Sequence, residues 1–370
     1  TGEYRELTDP QTNARIHQLT DHASINHSLF FLNPSFRPGT RAPDHQVAFV
    51  THRAGQPQLC LFDFADATAR CITEADGLQA FSPVFSRDGG TLYYTTSAGE
   101  VRRVGVDSGR AEVIARADGA SLGECGLSHD GAFIVTAAKR EKSHQLLVID
   151  LGAGSCECIL DTELQILHPQ FHPRDSSRIE YAGHPIPRLW FIRRDGSENH
   201  CPYENAWNEF IVHESFLGDS DDMIFAVWPN RLARFTPGAD APTTIAEINA
   251  WHMASSRDGR RIVSDTNHPD RGMILIDPQD GSHTTLCYPG ASNCGSQWEF
   301  DHPATPDAWT RKPSPDADPR VLSWMEMKVD TVYGPQWTHP HPAFDDEAKR
   351  VVYTSDASGD PQVFVVEVEA

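Results

Sequence analysis

Histidine recurs at one position of a repeated pattern in the chain. His168, His213, His252 and His341 each open a four-residue group, and three of these groups end in phenylalanine. Histidine binds divalent metals through a neutral ring nitrogen and exchanges protons near neutral pH. One such histidine is usually a structural side chain, but four at the same repeat position predict a shared site.

Two further residues extend this set towards a metal site. His339 lies two residues before His341, so an extended segment places both side chains on one face, and Gln336 lies just upstream. Imidazole nitrogens and an amide oxygen suit Mn, Fe, Co, Ni or Zn, whereas structural zinc sites commonly include thiolates. We therefore predict that a divalent ion is held by His252, Gln336, His339 and His341.

Two residues are candidates for the reaction itself. His213 precedes His252 in the row of repeat positions, and it is either a further metal ligand or a free general base. Arg188 begins a predicted strand, in the sequence Pro187-Arg-Leu-Trp190, and is expected to point towards the same site as these histidines. Its planar guanidinium is suited to binding a carboxylate or a developing oxyanion. Without the neighbouring histidines, the expected role of such an arginine would be a surface salt bridge.

These distant positions need a scaffold that brings them together, and the repeat supplies one. Subtracting successive first positions gives spacings of 49, 42, 44, 45, 39 and 89 residues. A period of about 40 to 50 residues is typical of four-stranded propeller blades. The seven copies begin at Asn33, Ser82, Glu124, His168, His213, His252 and His341.

The repeat predicts an all-β protein, a single seven-bladed β-propeller over residues 1–370. The spacing of 89 residues indicates a blade plus a long insertion at about 288–332, where proline, serine and aspartate are concentrated. The last repeat offers three strands, and we expect the amino-terminal strand within 15–20 to complete that blade. This closure leaves no long strand edge exposed. It also places equivalent repeat positions on one ring around the channel.

Composition excludes several classes of partner. The formal net charge is −21, which disfavours nucleic acid and anionic membranes as partners. An anionic ligand would then need local cations at its site. No apolar run is long enough to cross a bilayer, and the first residues do not resemble a secretory signal, so a cytoplasmic protein is expected. The eight cysteines form no CxxC pair and predict reduced thiols; the composition leaves the oligomeric state open.

Several segments resemble those of bacterial oligogalacturonate lyases, and the similarity extends along essentially the whole chain. The most specific is Gln336-Trp-Thr-His339-Pro-His341-Pro-Ala-Phe344. The other segments that carry the resemblance, in chain order, are Asn26-His27, Arg188-Leu-Trp190, Val212-His213-Glu-Ser-Phe216, Trp251-His252-Met253 and Val352-Tyr-Thr-Ser-Asp356.

The resemblance implies a cytoplasmic enzyme that uses Mn²⁺ or a similar ion on an acidic oligosaccharide. The expected reaction is β-elimination at a 1,4-linked uronide: a base removes the C5 proton, the C4 oxygen departs and a 4,5-unsaturated uronate remains. The family pattern implies His213 as the base, Arg188 as the catalytic arginine, and His252, Gln336, His339 and His341 as the metal ligands.

Three more histidines are candidates for substrate contacts or for protonation of the leaving group: His27, His168 and His184. The chain also departs from the family at two places. Ser28 stands where the family has a basic residue, and the stretch 183–188 is shorter than in the family. The sequence therefore leaves open whether the sugar is galacturonate, glucuronate or a rhamnose-linked uronide.

A function of another class is a non-catalytic propeller that binds a ligand or a protein. Periplasmic propellers share the Pro-x-Phe-Ser-x-Asp-Gly repeat seen here. This alternative explains the repeat, but it does not explain why histidine occupies four consecutive repeat positions.

Overall fold

In the part of the chain that the structure describes, the strands form seven antiparallel sheets arranged as the blades of a β-propeller. The structure, a computed structural model, describes residues 2–183, 187–206, 209–267, 269–292 and 336–369. The predicted all-β, seven-bladed β-propeller is therefore confirmed. The predicted insertion at 288–332 lies largely outside the described residues.

Six blades consist of four strands that follow one another in the chain, and the seventh draws strands from both ends. Blade 1 contains β3 (Asn26–Ser28), β4 (Gln46–Thr51), β5 (Gln58–Asp63) and β6 (Thr68–Cys71); blade 2 contains β7 (Val84–Phe85), β8 (Thr91–Thr95), β9 (Glu100–Gly105) and β10 (Ala111–Arg116); and blade 3 contains β11 (Ser121–Leu127), β12 (Phe133–Lys139), β13 (His144–Asp150) and β14 (Cys156–Thr162). Blade 4 contains β15 (Leu167–His172), β16 (Asp175–Ala182), β17 (Leu189–Arg193) and β18 (His200–Tyr203); blade 5 contains β19 (Ile211–Phe216), β20 (Met223–Val227), β21 (Arg231–Phe235) and β22 (Thr243–Ala246); and blade 6 contains β23 (Ala250–Ser255), β24 (Ile262–Thr266), β25 (Met273–Ile276) and β26 (His283–Cys287). Blade 7 contains β27 (Ala343–Phe344), β28 (Arg350–Ser355) and β29 (Gln362–Glu367), together with the amino-terminal strands β1 (Arg5–Thr8) and β2 (Arg15–Gln18).

The amino-terminal segment closes the ring as predicted. Strand β2 pairs with β29, with Ile16 opposite Val366, so it covers the outer edge of the last blade. Strand β1 pairs with β2 and adds a fifth strand that the repeat did not predict. Pairing β29 in this way satisfies backbone groups that would otherwise form an open sheet edge.

The core lies between the blades. The buried apolar side chains form seven clusters in the described part of the chain, and each cluster combines residues of two neighbouring blades. Between blades 5 and 6, for example, Trp228 and Trp251 meet edge to face at 5.7 Å between ring centroids. This packing fixes each blade against the next and so fixes the ring of repeat positions.

The inner strands of blades 3 to 6 share an irregularity at the repeat's first positions. Their pairing with the next strand shifts between Leu122 and Cys125, Leu167 and Gln170, Val212 and Ser215, and Ala250 and Met253. Such β-bulges bend the strand and change the direction of the side chains within them. The bulged segments contain Glu124, His168, His213 and His252.

Three of the histidines also have backbone conformations that are unfavourable for side-chain-bearing residues. His168, His213 and His341 have φ angles of 50°, 58° and 44°. The left-handed region is sparsely occupied by residues other than glycine, and strained residues of this kind cluster at functional sites. The backbone thus singles out the same ring positions as the sequence does.

The prediction that the cysteines are reduced thiols is wrong for one pair. Cys60 of β5 and Cys71 of β6 lie opposite each other in register and form a disulfide. The two cysteines meet because they lie opposite each other on adjacent strands. A search for CxxC pairs does not detect cysteines that are brought together in this way. Cys156 and Cys158 are free and exposed on β14. Among the described residues, no helix has the length and apolar character needed to cross a membrane.

Candidate metal centre and active site

Three predicted metal ligands converge at one point. His252 comes from β23, and His339 and His341 come from the segment that joins a 3₁₀ turn, Gln336–Thr338, to β27. One ring nitrogen of each lies within 4.8 Å of the others, and all three side chains are buried. His252 Nε2 and His339 Nδ1 are 3.4 Å apart, close to the separation of two nitrogens bound to one ion at about 2.1 Å each.

The chemical state of these imidazoles suits a cation. Burial, followed by the neighbouring imidazoles, holds the pKa of His252 and of His341 well below the usual range, so both rings are neutral. Neutral imidazole is the form that binds metals. Within the described part of the chain, His341 Nε2 is buried and makes no hydrogen bond. A divalent cation fits this donor set and would satisfy that nitrogen.

The buried carboxyl group of Asp265 orients one of the predicted ligands. Asp265 Oδ2 accepts a hydrogen bond from His252 Nδ1 at 2.9 Å, and Oδ1 accepts one from the backbone N–H of His252 at 2.6 Å. With the proton on Nδ1, the lone pair of His252 is on Nε2, the nitrogen that faces His339. Carboxylates commonly fix metal-binding histidines in this way.

Gln336 lies beside this group but is less enclosed. It begins the 3₁₀ turn, and its side chain is half-buried. Its backbone carbonyl oxygen accepts a hydrogen bond from the backbone N–H of His339 at 3.1 Å. The turn therefore ties Gln336 to His339. Its role as a fourth ligand stays a prediction.

His213 lies next to the predicted metal site on the neighbouring blade. Its ring centroid is 4.3 Å from that of His252, and its Nδ1 donates a hydrogen bond to the carbonyl oxygen of Trp251 at 2.8 Å. The proton is thus on Nδ1, and Nε2 carries the lone pair. Burial, followed by His252 and His168, holds the pKa of His213 well below its usual range, which keeps the ring neutral.

Arg188 is part of a buried ionic group. Arg188 lies just before β17 and is 4% exposed. Its side chain donates to both carboxylate oxygens of Glu214, from Nε at 2.6 Å and from Nη2 at 3.3 Å. Its backbone N–H donates to Asn205 at 3.0 Å. His168 Nδ1 lies 3.6 Å from the same carboxylate. Arg188 therefore occupies a defined position near the histidines, with its charge balanced by Glu214.

His168 also faces the proposed base. The rings of His168 and His213 are nearly parallel, with their planes 23° apart and their centroids separated by 6.1 Å. The two residues occupy equivalent bulges of adjacent blades, which explains why their rings lie side by side. The structure thus brings His168 and Arg188 to the same part of the mouth as His213.

His27 lies on the other side of the group, on β3. Its ring is 4.8 Å from that of Phe81, which in turn is 5.7 Å from His341. Its Nδ1 donates to the carbonyl oxygen of Ser28, and burial lowers the pKa of His27 to about 4. Its Nε2 is buried without a hydrogen-bond partner among the described residues. His27 is therefore available as an acceptor close to the metal ligands.

Phe31 lies between the histidines and the central channel. Its ring contacts four of the histidines, with centroid separations of 5.5 to 6.1 Å, from His168, His213, His252 and His341. On its other side begins a cavity of about 650 Å³ that is lined by residues of all seven blades, including Asn33 and Glu124. The phenylalanine therefore separates the histidine site from the rest of the channel.

Three residues near the histidines were not predicted from the sequence, and two predicted ring positions do not join the group. Asp265, Glu214 and Phe31 were not predicted, although Asp265 is a charged residue at the end of a predicted β-strand and Glu214 directly follows a repeat histidine. Asn33 and Ser82 lie in turns, and Asn33 Nδ2 donates to the carbonyl oxygen of Cys125. His184 lies outside the described residues.

Comparison with known proteins gives two kinds of relative. No protein-family model matches the chain. The oligogalacturonide lyase of Pectobacterium atrosepticum is 23% identical over 404 residues, which cover 99% of this chain and 96% of that protein. The oligogalacturonate lyase of Dickeya dadantii is 23% identical over 405 residues, with the same coverage.

A solved structure with the same fold is an oligogalacturonate lyase in complex with manganese. It superposes with a TM-score of 0.80 at 19% identity and covers 99% of this chain and 96% of that one. These relatives confirm the resemblance inferred from the sequence and, with it, the seven-bladed architecture.

Proposed function

We propose that this chain, which is similar to oligogalacturonate lyases over 99% of its residues, is a metal-dependent lyase that cleaves 1,4-linked uronides by β-elimination. Oligogalacturonate is the proposed substrate, and the product is a 4,5-unsaturated uronate. The observation that carries this proposal is the convergence of three histidine nitrogens beside a fourth imidazole whose Nδ1 is already hydrogen-bonded.

The metal would be held by His252, Gln336, His339 and His341, and Mn²⁺ is the proposed ion. When bound, the cation supplies Lewis-acid stabilisation for the negative charge that develops on the uronate carboxylate. Because Arg188 is balanced by Glu214, the ion would also provide the net positive charge that an anionic substrate needs in a chain of net charge −21.

His213 is the proposed base. Its Nδ1 donates to the carbonyl oxygen of Trp251, so Nε2 accepts the C5 proton without a change of tautomer. The electron pair of the C5–H bond forms the C4=C5 double bond, and the C4–O bond breaks. Phe31 packs against this ring and limits access of water from the channel below.

Arg188 would bind the substrate carboxylate. A guanidinium offers planar N–H donors that match carboxylate oxygens, and those oxygens gain charge as the C5 proton leaves. Its contact with Glu214 holds the guanidinium in one orientation before substrate arrives. His27 and His168 flank the same mouth. His27, whose Nε2 is an acceptor, is proposed to contact the sugar, and His168 is proposed to contact the sugar or to protonate the departing oxygen.

Asp265→Asn is expected to lower the affinity for Mn²⁺ by about 10- to 100-fold. Asp265 accepts two N–H groups of His252, and an asparagine would present an N–H₂ group to one of them. The mismatch favours the tautomer of His252 whose Nε2 is protonated and unable to bind metal. Calorimetric titration with Mn²⁺ measures the change, and unchanged affinity would show that this carboxylate does not orient the ligand.

The experiment that tests the function is an assay of the purified protein on several uronide oligomers. We expect the ultraviolet absorbance of the conjugated C4=C5 carboxylate product to rise with oligogalacturonate. A strong chelator should abolish this rise and added Mn²⁺ should restore it. Product formation that is fastest with glucuronate or rhamnose-linked uronides would change the assigned sugar and keep the chemistry. No unsaturated product from any uronide would refute the lyase and favour a binding propeller.

A further inference from the structure

One buried carboxylate contacts two of the residues at the mouth. Glu214 is fully buried, and its oxygens lie 2.6 Å from Arg188 Nε, 3.3 Å from Arg188 Nη2 and 3.6 Å from His168 Nδ1. Arg188 and His168 belong to blade 4, whereas Glu214 belongs to blade 5. Glu214 therefore links the two blades at the site.

The bulge of β19 explains this placement. His213 and Glu214 occupy it together, between Val212 and Ser215. In a regular strand, successive side chains alternate between the two faces. Here the first of the pair contacts His252, and the second contacts Arg188. One backbone irregularity thus sets the positions of both the proposed base and the carboxylate.

Glu214 is ionised despite its burial. Desolvation raises its pKa, but the Arg188 guanidinium and the contact with His168 outweigh this effect and bring the pKa of Glu214 below its usual range. A buried charge of this kind persists only when it is paired, and removal of one partner leaves the other charge uncompensated. The pair therefore constrains Arg188 more strongly than a surface ion pair would.

A second buried carboxyl lies close by and behaves in the opposite way. Burial, followed by the charge of Glu214, raises the pKa of Glu180 well above its usual range, so Glu180 retains its proton at neutral pH. Gln170 Nε2 donates to Glu180 Oε2 at 2.8 Å and to the backbone carbonyl of Glu214 at 2.9 Å. Glu180 therefore provides a matched control: a glutamate equally buried, in the same network, without a charge.

We propose that Glu214 is a positioning residue of the reaction, which holds Arg188 and His168 in the geometry that the transition state requires. The inference rests on the proposed lyase function. Its carboxylate fixes the guanidinium plane through two hydrogen bonds. It also lies 3.6 Å from Nδ1 of His168, so that Nε2 is the ring nitrogen turned away from the carboxylate. Glu214 itself does not exchange a proton with the substrate.

The test compares Glu214→Gln with Glu180→Gln in the Mn²⁺-loaded protein. Glu214→Gln keeps the size of the side chain but removes the charge, and we expect kcat to fall about 100-fold with a smaller change in KM. Glu180→Gln replaces a protonated carboxyl by a neutral amide of the same shape, and we expect kcat within about twofold of the parent. Thermal unfolding and Mn²⁺ titration should show both variants folded and metal-binding.

A double-mutant cycle separates positioning from a general loss of structure. Arg188→Lys keeps the charge but loses the planar fork. If Glu214 acts through Arg188, Glu214→Gln should cost much less in the Arg188→Lys background than in the parent. Glu214→Asp, which keeps the charge and shortens the side chain, provides a second measurement if Glu214→Gln fails to fold, and we expect it to lower kcat by about 10-fold.

The outcomes distinguish the inference from the function. Parental kcat in a folded Glu214 variant, or fully additive losses in the cycle, would overturn the positioning role while the lyase assignment stands. A comparable loss in Glu180→Gln would also overturn it, because the effect would then be one of general packing. A parent protein without lyase activity on any uronide would instead overturn the proposed function.

Discussion

His213→Ala is expected to lower kcat by about 10³-fold while the protein still binds Mn²⁺. The variant removes Nε2, the nitrogen that the hydrogen bond from Nδ1 to Trp251 leaves with a lone pair. The three convergent nitrogens of the metal site come from other residues and remain in place. Steady-state kinetics on oligogalacturonate and calorimetric titration with Mn²⁺ measure the two properties separately.

His200→Ala is the control for this variant. His200 is exposed on β18, away from the mouth, and its replacement should change neither property. Parental turnover in His213→Ala would refute the base assignment. Loss of Mn²⁺ affinity together with activity would identify His213 as a ligand, which is the alternative that the sequence left open.

His339→Ala is expected to lose both metal and activity. His339 Nδ1 is the nitrogen 3.4 Å from His252 Nε2, and its removal leaves two of the three convergent imidazoles. We expect the Mn²⁺ affinity to fall at least about 100-fold, more than for loss of a residue that only orients a ligand. Metal analysis after dialysis and assays at increasing Mn²⁺ concentration measure the effect.

His283→Ala serves as the matched control, because His283 is exposed on β26 of the blade that also carries His252. Excess Mn²⁺ should restore part of the activity of His339→Ala and none of the activity of His213→Ala. If His339→Ala retained parental Mn²⁺ affinity, the metal site proposed here would be wrong.

These expectations share one physical basis, which is the burial of several imidazoles in a single group. Desolvation keeps His213, His252 and His341 neutral, and neutral rings offer lone pairs to a cation or a proton. Left-handed backbone at His213 and His341 adds a conformational cost that the surrounding blades must offset. The fold thus stabilises an arrangement that the local segments would not adopt alone.

The order of the blades and the convergence of the repeat histidines were predictable because both depend on the period of the repeat. A spacing of about 40 to 50 residues assigned each repeat to a blade, and equivalence of position then brought His252 and His341 to one ring, although 89 residues separate them. The closing strand β2 was predictable for the same reason, since a blade with three strands needs a fourth. The fifth strand, β1, had no such signal.

The tertiary structure decided the orientation of each side chain at the site and the residue with which it forms a hydrogen bond or an ion pair. The choice of Nε2 over Nδ1 in His252 depends on Asp265 in the next strand, and the ionisation of Glu214 depends on Arg188 in another blade. The disulfide between Cys60 and Cys71 likewise depends on strand register.

By itself, then, the sequence determined that the four repeat histidines share one ring around the channel, because a fixed repeat period places equivalent positions on one ring. It did not determine their protonation or orientation. Those properties arise from bulges and from contacts between residues distant in the chain, and such contacts exist only once neighbouring blades have packed together.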